Sequence, residues 1–283
     1  MTVRIVTDST ADLPADLAQD MGIVVVPLNV HFDDEVFTDG VTIHADEFYQ
    51  RLVSSSNLPK TSQPAIGAFM ETYQQLLTDA DGIVSVHISS QVSGTVNAAQ
   101  LAVSELGSDA IEVVDTLQAS LALGLIAVAA AKVAQNGGSL PEVVAEAKSA
   151  SERARFFGLV ETLEYLEKGG RIGKAQALLG SLLRIKPILT LKEGVAHPVE
   201  KVRTRAKGLE RLARIITELA PLEAIGVMSS DVAEDSRLIV DAITQHIPGS
   251  DPVVSRFGPV LGTYLGPGSL GVAVLRAKGP DEQ

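Results

Sequence analysis

Residues 82–106 read Gly-Ile-Val-Ser-Val-His-Ile-Ser-Ser-Gln-Val-Ser-Gly-Thr-Val-Asn-Ala-Ala-Gln-Leu-Ala-Val-Ser-Glu-Leu, an apolar run followed by a polar loop and a helical pattern. The run at 83–88 is almost continuously apolar, which is typical of a strand buried on both faces of a parallel sheet. The loop at 89–95 is rich in serine and glycine, and residues 96–106 have the spacing of a helix. This order predicts a βαβ unit, in which a helix connects two parallel strands.

The same alternation continues on both sides of this stretch. It predicts strands at 3–6, 23–26 and 111–114, and helices at 14–20, 45–54, 64–77 and 119–135. Asn136-Gly137-Gly138 ends the last helix, since glycine is favoured just beyond a helix C-terminus. Residues 1–155 are therefore predicted to form a three-layer α/β/α domain around a parallel sheet.

The second half of the chain has a different pattern, with more strands per helix. Strands are predicted at 156–160, 185–191, 196–202, 224–228, 252–256 and 271–275, and helices at 204–220, at 232–245 and over a short segment that ends at Lys168. Lys192-Glu193-Gly194 has the composition of a hairpin turn, and a hairpin is antiparallel. Residues 156–283 are therefore predicted to form a second α/β domain with a mixed sheet.

Composition narrows the class of protein. Across 283 residues, 23 Lys and Arg stand against 35 Asp and Glu; the net charge of −12 argues against a general nucleic-acid-binding protein. The absence of cysteine excludes disulfides, thiolate metal sites and a cysteine nucleophile. The most apolar stretch, at 119–131, is shorter than the roughly 20 residues of a transmembrane helix and predicts a buried helix. With no apolar signal-peptide region at the N-terminus, we expect a soluble, cytoplasmic protein.

Common cofactor and catalytic motifs lack their required context. Residues 266–271 match G-x-G-x-x-G, but a strand pattern follows them, whereas a dinucleotide motif opens a helix. Gly173-Lys174 lacks the upstream glycine of a phosphate-binding loop, and no serine has the G-x-S-x-G pattern. The five histidines are scattered and are expected at surface or loop positions, so no metal site is predicted.

Three hydroxyl-rich segments remain as candidate binding loops, at 60–64, 89–95 and 262–268. Pro64 suits the first position of a helix, which would put the Thr61 and Ser62 hydroxyls beside free backbone N–H groups. The second loop follows the carboxyl end of a strand, where ligands bind in open α/β sheets. Each segment taken alone also fits ordinary capping and turn chemistry. For Asp8 and Asp12 we prefer that role as turn and cap residues.

In their order and spacing, these segments resemble the DegV family of bacterial fatty-acid-binding proteins, over essentially the whole chain. The motifs that carry the resemblance are Thr7-Asp8-Ser9-Thr10-Ala11-Asp12-Leu13-Pro14, Thr61-Ser62-Gln63-Pro64, Ser89-Ser90-Gln91-Val92-Ser93-Gly94-Thr95, Val114-Asp115-Thr116 with Ala119-Ser120, Glu167-Lys168-Gly169-Gly170-Arg171-Ile172 and Gly262-Thr263-Tyr264-Leu265-Gly266-Pro267-Gly268. The resemblance implies a two-domain α/β protein with a lipid site between the domains, closed by the loop at 262–268.

The resemblance also implies a ligand and its binding residues. A long-chain fatty acid of about 16–18 carbons would place its carboxylate on hydroxyls, foremost those of Thr61 and Ser93, and its acyl chain in an apolar tunnel. The implied lipid-binding residues are Thr61, Ser62, Ser93, Gly94, Thr95, Thr263 and Tyr264. Side chains that could line the tunnel, or only fill the core, are Leu178, Leu179, Leu182, Leu183, Ile188 and Leu189. No cofactor other than the bound acid is implied.

By the same resemblance the protein is not itself an enzyme. It would present the carboxylate to a separate ATP-dependent fatty acid kinase, which makes an acyl phosphate. Many members of the family have histidine where this chain has Tyr264. A tyrosine hydroxyl can donate a hydrogen bond to a carboxylate, but at pH 7 it carries no positive charge and transfers protons poorly. The departure affects carboxylate coordination and phosphorylation more than binding.

The segment at 168–207 is basic, with ten Lys or Arg and two acidic residues. Arginine grips phosphate through two parallel hydrogen bonds, so this segment could dock the kinase, and the resemblance singles out Arg171 and Arg203. A transient contact with an anionic membrane surface is a second interpretation, and solvated loop and helix charges are a third.

The alternative function is an enzyme or phosphotransfer subunit that acts on a small hydroxylated or phosphorylated metabolite. The same loops suit anions, and the resemblance extends to subunits of dihydroxyacetone kinase. A shallow polar pocket would favour this enzyme, whereas an apolar tunnel would favour the lipid carrier.

Overall fold

The computed structural model describes residues 2–180, 185–230, 233–246 and 251–279. The first part contains β1 (Val3–Asp8), α1 (Ala15–Asp20), β2 (Ile23–Val26), β3 (Asn29–Phe32), β4 (Glu35–Thr38), α2 (Ala45–Ser54), β5 (Lys60–Ser62), α3 (Ile66–Leu76), β6 (Gly82–His87), α4 (Thr95–Leu106), β7 (Ile111–Asp115), α5 (Leu121–Gln135) and α6 (Leu140–Arg153). Strands β2, β1, β6 and β7 lie side by side in that order, and all three pairings are parallel. The predicted parallel sheet is confirmed.

The second part contains β8 (Ala154–Leu159), α7 (Glu164–Lys168), β9 (Lys186–Lys192), β10 (Val195–Val202), α8 (Arg205–Glu218), β11 (Leu222–Ser229), α9 (Ala233–His246), β12 (Val253–Arg256), α10 (Pro259–Leu265) and β13 (Leu270–Arg276). Its sheet has the order β10-β9-β8-β13-β11-β12, and only the β11–β12 pairing is parallel. The predicted mixed sheet and the β9–β10 hairpin are confirmed. Because β8 begins at Ala154, the predicted domain boundary between residues 155 and 156 falls inside this strand, and the division into two domains stays a prediction.

Helix α5 packs against both large sheets. Its residues from Leu121 to Ala131 are all buried. The surrounding core cluster joins Val84 and Val86 of the parallel sheet to Phe156 of the mixed sheet. A helix buried all round has no single apolar stripe, which explains why this segment reads as an unbroken apolar run. Within the described residues, no helix combines the length and the apolar character needed to cross a bilayer.

Besides α10, two further features were not predicted. The first is a small antiparallel sheet, β4-β3-β5, whose strands have only three or four residues and are therefore too short to show a clear period. The second is α6, although the sequence marks its start. Ser139 and Glu142 form a capping box, in which the Ser139 N–H donates to Glu142 Oε2 at 2.8 Å.

Two candidate loops proved to be parts of regular elements. Thr61 and Ser62 lie on β5, and the following helix begins at Ile66 rather than at Pro64. The prediction that these hydroxyls flank a helix N-terminus is therefore wrong. The segment at 262–268 is also only partly a loop, because α10 continues to Leu265. The signal for this helix was present, since Pro259 occupies its first turn, where proline is favoured.

Candidate functional site

Residues of the mixed sheet, of β5, of α10 and of the loops that follow β2, β6 and β7 line a cavity, which we call the central cavity. Its apolar lining consists of Leu28, Ile88, Val92, Ala119, Phe156, Leu166, Leu189, Leu191, Ala196, Val260, Leu261 and Leu265. The space that protein atoms leave unfilled amounts to about 930 Å³, partly open to solvent. The lining is mainly apolar, as in most small-molecule sites.

A group of polar residues also lines this cavity, and we call it the polar end: Thr61, Ser62, Gln63, Ser93, Gly94, Arg171 and Tyr264. Thr61 Oγ1 lies 2.5 Å from the Tyr264 hydroxyl, and Ser93 Oγ lies 2.8 Å from Thr95 Oγ1. Each hydroxyl can donate one hydrogen bond, so each pair uses one proton internally and keeps one available. The polar end can therefore hold an anionic group with neutral donors.

Direct contacts join residues of the polar end that are far apart in the sequence. The guanidinium of Arg171 lies 5.1 Å from the centre of the Tyr264 ring, and Arg171 Nε donates to the Val92 carbonyl at 3.2 Å. Gly94 packs so closely on Gln63 that a Cβ at position 94 would lie 2.3 Å from Gln63 Oε1. Because Arg171 is exposed to solvent, the polar end reaches the protein surface.

The hairpin β9–β10 contributes to the cavity and is anchored to the loop at 89–94. Glu193 and Gly194 form its turn with φ angles of 52° and 78°. Ser89 Oγ donates to the Gly194 carbonyl at 2.9 Å, and a Cβ at position 194 would lie 2.3 Å from that Oγ. A glycine is therefore required here both by the turn and by the close approach of the two segments.

The structure places five of the seven predicted lipid-binding residues on the cavity, namely Thr61, Ser62, Ser93, Gly94 and Tyr264. The lining does not include Thr95, which is fully buried beside Ser93. It also omits Thr263, whose Oγ1 donates to the Pro259 carbonyl within α10. The role of these residues in lipid binding stays a prediction.

Of the four candidate tunnel residues that the structure describes, only Leu189 lines the cavity. Ile188 is the preceding residue on β9 and therefore faces the opposite side, where it packs in the cluster that contains α8. The other positions are Leu178 and Leu179, which pack in a cluster beside the polar end, and Leu182 and Leu183, which lie outside the described residues.

The two arginines predicted to dock a partner lie in different surroundings. Arg171 belongs to the polar end, whereas Arg203 is exposed between β10 and α8 and does not line the cavity. Several other charges of the basic segment have acidic partners within the protein. Lys168 pairs with Glu164 at 2.5 Å, and Arg205 pairs with Asp235.

A buried hydrogen-bond network lies where the parallel strands β1 and β6 end. Asp8 accepts from the Thr10 N–H at 3.0 Å, which caps a short 3-10 helix and confirms the predicted cap role. His87 Nδ1 lies 2.9 Å from Asp8 Oδ2, and His87 Nε2 lies 2.7 Å from Ser85 Oγ, which accepts from the Tyr73 hydroxyl. The expectation that every histidine lies at the surface or in a loop is wrong for His87, which is fully buried. Among the described residues, no group of acidic side chains and histidines could hold a metal ion.

Two buried carboxylates hold the N-terminus of α10. Asp12 accepts from the Gly258 N–H at 2.9 Å and from Ser120 Oγ at 2.6 Å, and Asp39 accepts from the Val260 N–H. Burial raises the pKa of Asp12 well above its ordinary value and raises the pKa of Asp39 to about 7. Because α10 carries Val260 and Tyr264, these carboxylates position part of the cavity wall. Sequence reasoning had assigned Asp12 only a local role and had not found Asp39.

The known proteins that resemble this chain match it over nearly its full length. A family model described as "Uncharacterised protein, DegV family" matches residues 2–277. A DegV domain-containing protein of Streptomyces coelicolor is 42% identical over 278 residues, which covers 96% of this chain and 98% of that protein. A Thermus thermophilus structure, described as fatty acid binding of a DegV family protein, has a TM-score of 0.91 at 35% identity and covers 97% of this chain and 99% of its own. The Bacillus subtilis DegV structure, described as a fatty acid binding protein, has a TM-score of 0.88 at 34% identity with the same coverage.

Proposed function

This chain belongs to the DegV family, and from that premise we propose that it binds a long-chain fatty acid and carries it without transforming it. The observation that carries the proposal is the central cavity, whose mainly apolar wall ends in a cluster of hydroxyls. The Thermus thermophilus and Bacillus subtilis relatives, which share this fold, are both described as fatty acid binding.

Burial of the acyl chain would supply the affinity. Each buried methylene contributes about 0.8 kcal/mol, so roughly 14 methylenes give about 11 kcal/mol before the costs of association. This gross energy is enough for tight binding, and the head-group contacts then need only to orient the acid. A cavity with a mainly apolar lining suits that division of roles.

The carboxylate would lie at the polar end. Thr61 and Tyr264 share one hydrogen bond and so keep one hydroxyl proton for a ligand, and Ser93 and Thr95 do the same. Hydrogen bonds from hydroxyls hold a carboxylate without fixing it in an ion pair, which leaves it able to react. These donors are already grouped by the fold, so little ordering is required on binding.

We extend the proposal to what happens to the bound acid. The polar end reaches the surface at Arg171, so a separate ATP-dependent fatty acid kinase could reach the carboxylate there and form the acyl phosphate. Arg171 and Arg203, both exposed, are the proposed docking residues for that kinase and its phosphates. Such a carrier would work in the cytoplasm and collect its acid by transient contact with the membrane surface, with no part for nucleic acid.

The alternative, an enzyme acting on a small hydroxylated or phosphorylated metabolite, requires a shallow polar pocket. The central cavity instead has twelve apolar side chains in its lining, and Arg171 is the one charged side chain among the described residues that line it. A phosphorylated metabolite would leave most of that apolar wall without contacts. The lining therefore favours the lipid carrier.

Mass spectrometry of the denatured protein tests the proposed function. We expect a co-purified fatty acid of about 16–18 carbons, because apolar burial favours long chains. Protein that carries no acid and also fails to bind added palmitate or oleate would overturn the proposal. Turnover of a small metabolite by the purified protein alone would instead establish the enzyme.

A further inference from the structure

We propose that the ring of Phe156 forms the closed inner wall of the central cavity and thereby limits the length of acyl chain that the protein accepts. The inference rests on the proposed function and goes beyond it by naming the residue that sets specificity. Phe156 is the one phenylalanine among the described residues of the lining, and its side chain is almost fully buried.

The ring lies over a gap that two glycines create in the mixed sheet. Gly158 of β8 and Gly271 of β13 are direct cross-strand partners. A Cβ at position 158 would lie 3.1 Å from the Phe156 ring, and a Cβ at position 271 would lie 3.0 Å from it. These distances are tighter than ordinary van der Waals contact, so side chains at either glycine would displace the ring. The two glycines therefore leave a depression in the sheet, which we call the glycine seat, and the ring packs into it at a fixed position.

The side of this ring that faces away from the cavity is closely packed with other side chains. Phe257 packs edge-on against Phe156 with the ring centres 6.3 Å apart, and Met228 lies beside the same glycine seat at Gly271. Phe257 and Met228 are fully buried, and neither belongs to the lining of the cavity. The Phe156 ring thus separates the cavity from the packed core, and a smaller side chain here would extend the cavity toward that core.

The polar end and Phe156 belong to different parts of the core. Tyr264 packs on a cluster formed by Leu166, Leu178 and Leu189, whereas Phe156 belongs to the cluster around α5 between the two large sheets. The proposed path of the acyl chain runs from the first cluster to the second along Leu265, which lines the cavity and packs against both clusters. The terminal methyl group meets Phe156 at the end of that path.

Replacement of Phe156 changes the space at the end of the chain in a predictable direction. The Phe156→Leu variant shortens the side chain and should favour longer acids, while Phe156→Trp enlarges it and should favour shorter ones. Each additional methylene that becomes buried improves affinity about fourfold, so the preference between acids two carbons apart should shift by roughly 15-fold.

The matched control is Phe157→Leu. Phe157 is the next residue on β8 and is also almost fully buried, but it packs on the opposite face of the sheet with Leu159 and Ile188 and does not line the cavity. The Phe157→Leu substitution removes a ring of the same kind from the same strand. Its length preference should equal that of the unchanged protein, even if its stability falls.

Competition among acids of different length is the test. Delipidated protein and each variant are equilibrated with an equimolar mixture of saturated acids of about 12 to 22 carbons, and the bound acids are extracted and quantified. Opposite shifts for Phe156→Leu and Phe156→Trp, with none for Phe157→Leu, support the inference. If the unchanged protein binds acids but the folded Phe156 variants keep its length profile, the inference fails while the proposed function stands. Failure of the unchanged protein to bind any acid contradicts the proposed function itself. Should one Phe156 variant not fold, the other decides.

Discussion

At the residue scale, Ser93 and Thr95 share a single hydrogen bond and so keep one proton for a ligand. We expect Ser93→Ala to weaken fatty acid binding by about 1–3 kcal/mol, because a carboxylate oxygen in a partly buried site would lose its donor. Titration calorimetry with a long-chain acid measures this loss. Ser90→Ala is the control, since Ser90 is exposed in the same loop and does not line the central cavity. Equal losses in the two variants would contradict the assignment.

Tyr264 makes two separable contacts, one through its hydroxyl to Thr61 and one through its ring to Arg171. Tyr264→Phe removes only the first, so the wall of the cavity keeps its shape. We expect affinity to fall about three- to tenfold, the net contribution of one hydrogen bond. The control variant is Tyr165→Phe, which also removes a tyrosine hydroxyl, because Tyr165 does not line the cavity. An unchanged affinity in the Tyr264 variant would leave Thr61 and Ser93 as sufficient donors.

At the scale of the element, α10 depends on the ionisation of Asp39. The folded-state pKa of this carboxyl is raised from 3.8 to about 7, mainly by burial. The neutral form is therefore the one that folding favours: its stabilising effect is fully present below pH 4 and is lost as the pH rises through 7. By pH 8 the cost of the buried charge approaches roughly 4 kcal/mol, at 1.4 kcal/mol for each pKa unit.

Asp39→Asn removes that charge and keeps an oxygen that can accept from the Val260 N–H. We expect the variant to gain stability relative to the unchanged protein between pH 5 and pH 8, as followed by urea unfolding at each pH. Asp34→Asn, at an exposed position of the β3–β4 turn, should show no such trend. A difference between Asp39→Asn and the parent that does not vary with pH would contradict a raised pKa.

The elements that the sequence predicted are those with a clear local pattern of apolar residues. The four parallel strands and the buried helix α5 are marked by nearly continuous apolar runs. The strand β5 was missed because three residues show no period, so Thr61 was assigned to a helix start. The helix α10 was missed because glycines at 262 and 266 suggested a loop, although Gly262 lies inside the helix.

At the scale of the whole molecule, the residues of the site are readable from sequence but their arrangement is not. Thr61 and Tyr264 are 203 positions apart and become neighbours only when β5 and α10 pack together. Likewise, His87 and Asp8 meet only through the pairing of β1 with β6, and a solitary histidine in a sequence gives no sign of that partner. Such contacts are set by strand order, which local patterns do not encode.

Because the cavity takes its lining from the mixed sheet and from loops that follow strands of the parallel sheet, a bound acid should stabilise both parts of the chain together. Ligand at 100 times its Kd adds about 2.7 kcal/mol to the free energy of unfolding. For a chain of this size we expect Tm to rise by roughly 5–10 °C, given a few degrees for each kcal/mol. Scanning calorimetry of delipidated protein with palmitate measures the rise, and butyrate, which has the same carboxylate but little chain to bury, should give almost none. Equal rises with the two acids would show that the carboxylate rather than the acyl chain supplies the binding energy. Two transitions, of which only one moves, would show that the acid stabilises only one of these parts.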